Sequence, residues 1–127
     1  MKTIRKPSLG ETFRIHLNVL AEIFGIHIKM HRQATYELDD ENLLWFPNML
    51  EKRVEKWRNE ISSNGMEIRE FWPNAEGQAK VMRDSHFKRP TFAKVDKTGY
   101  TFVGVFECKD IDVKRQCALY TRSRTTL

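Results

Sequence analysis

The 127-residue sequence holds two cysteines, four prolines and six glycines. Cys108 and Cys117 are too few for a disulfide scaffold, and with no second pair they form no zinc site. No apolar run approaches the roughly 18 residues a membrane span needs, and the mean hydropathy is −0.59. Met1–Gly10 lacks the apolar stretch of a secretory signal, so the expectation is a soluble, cytoplasmic protein with no membrane partner. Glycine-rich phosphate loops and the Gly-x-Ser-x-Gly nucleophile elbow are both missing. The length suits one domain, residues 1–127, and is enough for a core without a structural metal.

What the chain does have is charge, with a net of +5 and pI near 9.4. Residues 1–32 carry +4, residues 33–79 carry −5 and residues 80–127 carry +6. If the two ends fold together they make one basic face suited to a polyanion. The acidic middle includes Asp39-Asp40-Glu41.

Ser8-Leu9-Gly10-Glu11 has capping-box spacing, and Leu9, Phe13, Leu17, Leu20 and Phe24 follow at helical steps up to Gly25. This predicts an N-terminal helix. Ile26–Met30 alternates like a strand, Thr35–Leu38 and Leu43–Phe46 read as further strands, and Asp39–Asn42 as a turn. Leu50, Val54, Trp57 and Ile61 share a helical period, which predicts a helix over 48–62. Met66–Phe71 alternates strictly and predicts a strand; Pro73–Gln78 reads as loop and 79–89 as a short helical turn. Thr91–Val95, the turn Asp96–Gly99 and Tyr100–Glu107 describe a β-hairpin, and Ala118–Arg122 a last strand. The fold class is therefore α+β: an N-terminal helix with a strongly curved, mostly antiparallel sheet or small barrel.

One pattern points to catalysis. Asp96, then an apolar strand ending in Glu107-Cys108-Lys109, resembles the metal centre of restriction-endonuclease-like nucleases, where two carboxylates hold Mg²⁺ or Mn²⁺ and the lysine assists the attacking water. Random mixing of this composition gives about 1.5 acid-x-Lys matches, and two occur, the second being Asp112-Val113-Lys114. The pattern is thus at its chance level. His27 and His31 have the separation of helical zinc ligands but fall where a strand is expected, which would set them about 13 Å apart. No metal or other cofactor is expected outside the nuclease alternative.

A second pattern is large rings beside basic and amide side chains: Trp57-Arg58-Asn59, Phe71-Trp72-Pro73-Asn74 and Tyr120-Thr121-Arg122-Ser123-Arg124. Stacking a base on such a ring contributes about 1–3 kcal/mol, and arginines neutralise phosphates.

Phe92-Ala93-Lys94-Val95, Gly99–Phe106 and Tyr120-Thr121-Arg122-Ser123 resemble the "Gly-Tyr-x-Phe-x-Gly-Val-Phe … Tyr-x-Arg" signature of small domains fused to bacterial HNH-type nucleases, which are similar to PUA-like barrels. Trp45-Phe46-Pro47, Trp57-Arg58-Asn59 and Ile68-Arg69-Glu70 look like further landmarks, so the likeness covers residues 40–124. It implies a barrel with a ligand cleft beside the sheet and a non-enzymatic module binding DNA, RNA or a nucleotide, in bacterial defence or phage counter-defence. Trp45, Trp57 and Asn59 are the pocket candidates, and Arg89, Arg122 and Arg124 the phosphate contacts. The alternatives are the nuclease using Asp96, Glu107 and Lys109, and a protein–protein inhibitor using the acidic middle segment. A homodimer would double the contacts of the basic face.

Overall fold

Glycine and alternation dictate the longest feature of the fold. The computed structural model describes residues 1–127. In it β6 (Lys88–Asp96) and β7 (Gly99–Asp112) form the expected hairpin around Asp96–Gly99. β7 continues into β8 (Cys117–Arg124), which pairs with β5 (Glu67–Phe71), and β5 in turn with β4 (Arg58–Ile61). On the other side β2 (Thr35–Glu37) pairs with β3 (Leu43–Trp45), and β3 runs parallel to β6. The resulting order is β2-β3-β6-β7-β8-β5-β4, with the short β1 (Thr12–Phe13) attached to β7. Only the β3–β6 contact is parallel. The sheet curves but does not close, bulges in both long ladders bending it.

Close approach explains Gly104. Its φ is +113°, and a Cβ there would sit 2.6 Å from Arg122 Cδ and 2.7 Å from the Arg124 carbonyl oxygen. β7 and β8 therefore need a bare backbone at this point.

Each face of the sheet has its own core. Helix α1 (His16–Phe24) lays Val19, Leu20 and Ile23 on Phe92, Phe102 and Val105. Helix α2 (Ala75–Asp84) and Trp72 cover Trp45, Ile68, Phe106 and Tyr120 on the other face. Gly25, left-handed at φ +67°, ends α1 as its position predicts.

Four sequence expectations are corrected. Ser8–Glu11 is a separate turn, closed by the Glu11 carboxylate on the Ser8 amide at 3.1 Å; β1 follows, and the helix starts only at His16. Ile26–Met30 forms no strand. The helix expected over 48–62 is a loop followed by β4, because Leu50 and Val54 are exposed and give such a helix no face to bury. The stretch read as loop and helical turn instead contains α2, begun by Asn74, whose side chain accepts from the Gly77 amide at 2.9 Å.

No helix is long and apolar enough to cross a membrane.

Candidate functional site

Alternation along a strand sends every second side chain to the same face. On β5, Ile68 and Glu70 share the face under α2, so Glu70 is carried into the core and is 6% exposed. On β6 the same rule buries Arg89, which is 2% exposed. The two face each other, Arg89 Nη1 lying 3.7 Å from Glu70 Oε1. Rings flank the guanidinium: Trp45 at 4.7 Å and Tyr120 at 4.5 Å. Such a desolvated cation–π contact contributes about 2 kcal/mol. Tyr120 donates its hydroxyl to Glu70 Oε1 at 2.8 Å. Burial, followed by the Glu70 charge, pushes this phenol well above its ordinary range, so it remains a donor.

This cluster forms part of the lining of a cavity of about 420 Å³ between α2, β3, β4 and the segment before β2. Two residues of its lining carry buried polar atoms that have no hydrogen-bond partner in the protein. Arg89 Nε and Nη1 donate to nothing, and Asn59 Oδ1 accepts nothing, although Asn59 is 5% exposed. The Asn59 amide nitrogen reaches the Asn48 carbonyl at 3.5 Å. Buried donors and acceptors without partners each cost about 1–3 kcal/mol, a cost that a complementary ligand removes. Half-buried Trp57 lines the cavity and packs against α2 at Gly77. Lys80 of α2 also lines it, held by Thr35 Oγ1 at 3.2 Å and by Asp84 at 2.9 Å. The cavity thus offers ring surface, an amide acceptor and a fixed buried cation.

The candidate residues divide cleanly. Trp45, Trp57, Asn59 and Arg89 come together here. Arg89 lines the cavity rather than the surface, because Lys88 and Arg89, the end of the stretch read as a helical turn, are the start of β6. Trp45 is 1% exposed with Arg89 and Tyr120 against its ring, so Trp57 is the better stacking surface. Arg122 and Arg124 are elsewhere: Arg122 lies over Gly104 and donates to the Val103 carbonyl at 3.4 Å, while exposed Arg124 lines a separate cleft with Lys6 and Lys88. Sequence reasoning missed Glu70, Lys80 and the wall Arg32–Thr35. The Ile68–Glu70 spacing was a usable signal for the first.

Asp96 and Glu107 do not form a carboxylate pair. Asp96 pairs with Gly99 at the hairpin turn and Glu107 pairs with Lys88 at the far end of β6. Eight residues of strand, roughly 26 Å, separate these positions, whereas one ion needs its carboxylate oxygens within about 5 Å of each other. Asp96 instead accepts from the Thr98 hydroxyl and amide, the hydroxyl bond first among the causes that lower its pKa. Burial raises the Cys108 thiol, which suits a structural cysteine.

The curved sheet with a helix on each face defines a PUA-like α+β module, and the cleft of ring, amide and guanidinium lies under the second helix. The SET and RING associated (SRA) domain model matches residues 11–127, and the chain belongs to that family. Among solved structures, "The 5-Hydroxymethylcytosine-Specific Restriction Enzyme AbaSI" is similar in fold, with a TM-score of 0.77 and 23% identity over 96% of this chain. The chain spans 42% of the AbaSI chain. A comparison with curated protein sequences yields no match.

Proposed function

We propose that the domain is a non-enzymatic reader that takes one unstacked nucleobase, a modified cytosine in DNA, into the 420 Å³ cavity. The observation that carries this reading is that Asn59 and Arg89, each with buried polar atoms that have no hydrogen-bond partner in the protein, line one cavity together with the rings of Trp45 and Trp57. A cytosine edge presents an amino donor beside ring and carbonyl acceptors, which complements that set. The relative's specificity for 5-hydroxymethylcytosine supports a 5-substituted base as the one to try first. A reader of this kind suits bacterial defence or phage counter-defence, where modified genomes must be told from unmodified ones.

The test is binding to short duplexes carrying a single 5-hydroxymethylcytosine, 5-methylcytosine or cytosine, followed by anisotropy and by tryptophan fluorescence read against Trp57→Phe. The modified duplex should bind at least tenfold tighter, with the tryptophan quenched by the stacked base. Equal affinity for all three, or Asn59→Ala binding like the wild type, would overturn the reading. With Mg²⁺ or Mn²⁺ present, all three duplexes should stay intact; cleavage lost in Glu107→Ala would restore the nuclease alternative.

A further inference from the structure

We propose that His16 and His31 are positioning residues for the cavity, a pair of imidazoles that clamp the wall Arg32–Thr35 at its two ends, through the carbonyls of His31 and Thr35. The inference rests on the reading that the cavity is a base site. Four consecutive residues, Arg32 to Thr35, line that cavity, yet they belong to no helix and only Thr35 enters a strand. Only Thr35 is fixed by a ladder, through its pairing with Trp45; Arg32–Ala34 lie outside any strand.

The two histidines supply the missing order. His31 Nε2 donates to the Thr35 carbonyl at 2.8 Å and closes the wall into a loop. His16, the first residue of α1, donates from Nε2 to the His31 carbonyl and ties that loop to the helix. Both acceptors are carbonyls, so both bonds need the proton on Nε2 and neither can run in reverse. Packing keeps the imidazoles in place: His31 lies edge-on to Tyr36 at 5.3 Å, and His16 contacts Phe46 at 5.5 Å and Tyr100 at 6.0 Å. Two further bonds hold the wall's far side, the Phe46 amide on the Ala34 carbonyl at 2.7 Å and Lys80 on Thr35 Oγ1. The wall is therefore anchored to α1, to the residue after β3 and to α2 at once, and the histidine bonds are the part of that anchoring that a substitution can remove without changing a residue that lines the cavity. Holding a site to a fraction of an ångström is what separates a selective pocket from a loose one.

Their test compares His31→Ala with His31→Gln, whose amide nitrogen can occupy the place of Nε2, in the full chain. His31→Ala should weaken binding to the 5-hydroxymethylcytosine duplex by about five- to tenfold, the scale of one lost hydrogen bond, and His31→Gln should restore it. Amide exchange over residues 32–35 in the ligand-free protein should quicken in His31→Ala and return in His31→Gln. Wild-type affinity in both variants overturns the proposal, and so does equal weakening in both, since that would mean ring packing and not the N–H sets the wall. If the wild type prefers no duplex, the base-site reading fails by itself; unchanged exchange in His31→Ala then overturns the clamp, and quickened exchange rescued by glutamine upholds it. Should His31→Ala not fold, His16→Ala against His16→Gln gives the same contrast.

Discussion

The guanidinium of Arg89 lies 4.5 Å from the ring of Tyr120, and that tyrosine's hydroxyl binds the carboxylate facing the guanidinium, Glu70. A buried charge is thus balanced by a buried charge and two rings, although its Nε and Nη1 make no hydrogen bond within the protein. Arg89→Met should cost about 3–5 kcal/mol of stability, because Glu70 would remain buried without its counter-charge. Adding Glu70→Gln should recover a large part of that loss. Urea unfolding at pH 7 measures both, and an Arg89→Met midpoint unchanged from the wild type would show that the pair carries no such weight.

Asn59→Ala removes the unpaired acceptor with little effect on the sheet, since its one partner, the Asn48 carbonyl, is 3.5 Å away. Affinity for the modified duplex should fall about ten- to a hundredfold, and stability should change by less than about 1 kcal/mol. Titration calorimetry beside thermal unfolding separates the two. A variant that lost both together would point to a packing role.

The fold was legible where local chemistry and tertiary partner agree. Gly99 and the alternation on either side of it specify the β6–β7 hairpin because turn and pairing are both encoded within a few residues. The stretch 48–62 misled because Leu50, Val54, Trp57 and Ile61 fit a helical period, yet the open edge of β5 pairs Arg58–Ile61, matching Glu60 with Arg69. Tertiary pairing overrode periodicity there. In the site, Trp57 and Asn59 stood out as a ring beside an amide. Glu70 could have been found from its two-residue step to Ile68, whereas Arg32–Ala34 carries no pattern at all: its place follows from where β2, β3 and α2 meet.

Gly104→Ala should destabilise by about 1–3 kcal/mol through backbone strain at positive φ alone. The clash with Arg122 Cδ can relax by a side-chain shift, but that with the Arg124 carbonyl oxygen, at 2.7 Å, requires β8 to move. Arg122→Ala in the same background should therefore relieve only a minor part of the loss. Full rescue would place the crowding in the side chain.

Acid should unfold the protein partly through Asp39. The Glu41 amide, and after it the Asn42 side chain, hold this carboxyl at about 2 against an ordinary value of 3.8. A lowered folded-state value means the stabilisation is complete above about pH 4 and disappears as pH falls toward 2. Asp39→Asn should thus be less stable than the wild type at pH 6, with the difference closing by pH 2. A constant gap across that range would mean the turn's stability does not depend on this charge.

Arg124 is exposed at the end of β8 and shares its cleft with Lys6 and Lys88, away from the cavity. If it contacts backbone phosphate, Arg124→Ala should weaken modified and unmodified duplexes alike and lower the slope of log affinity against log salt by about 1. Asn59→Ala should leave that slope as it is while cutting the preference for the modified base. The pair of variants thereby separates charge from reading, and a salt slope untouched by Arg124→Ala would remove this end of the sheet from the nucleic-acid contact and leave the surface around Arg32 and Lys80 to carry it.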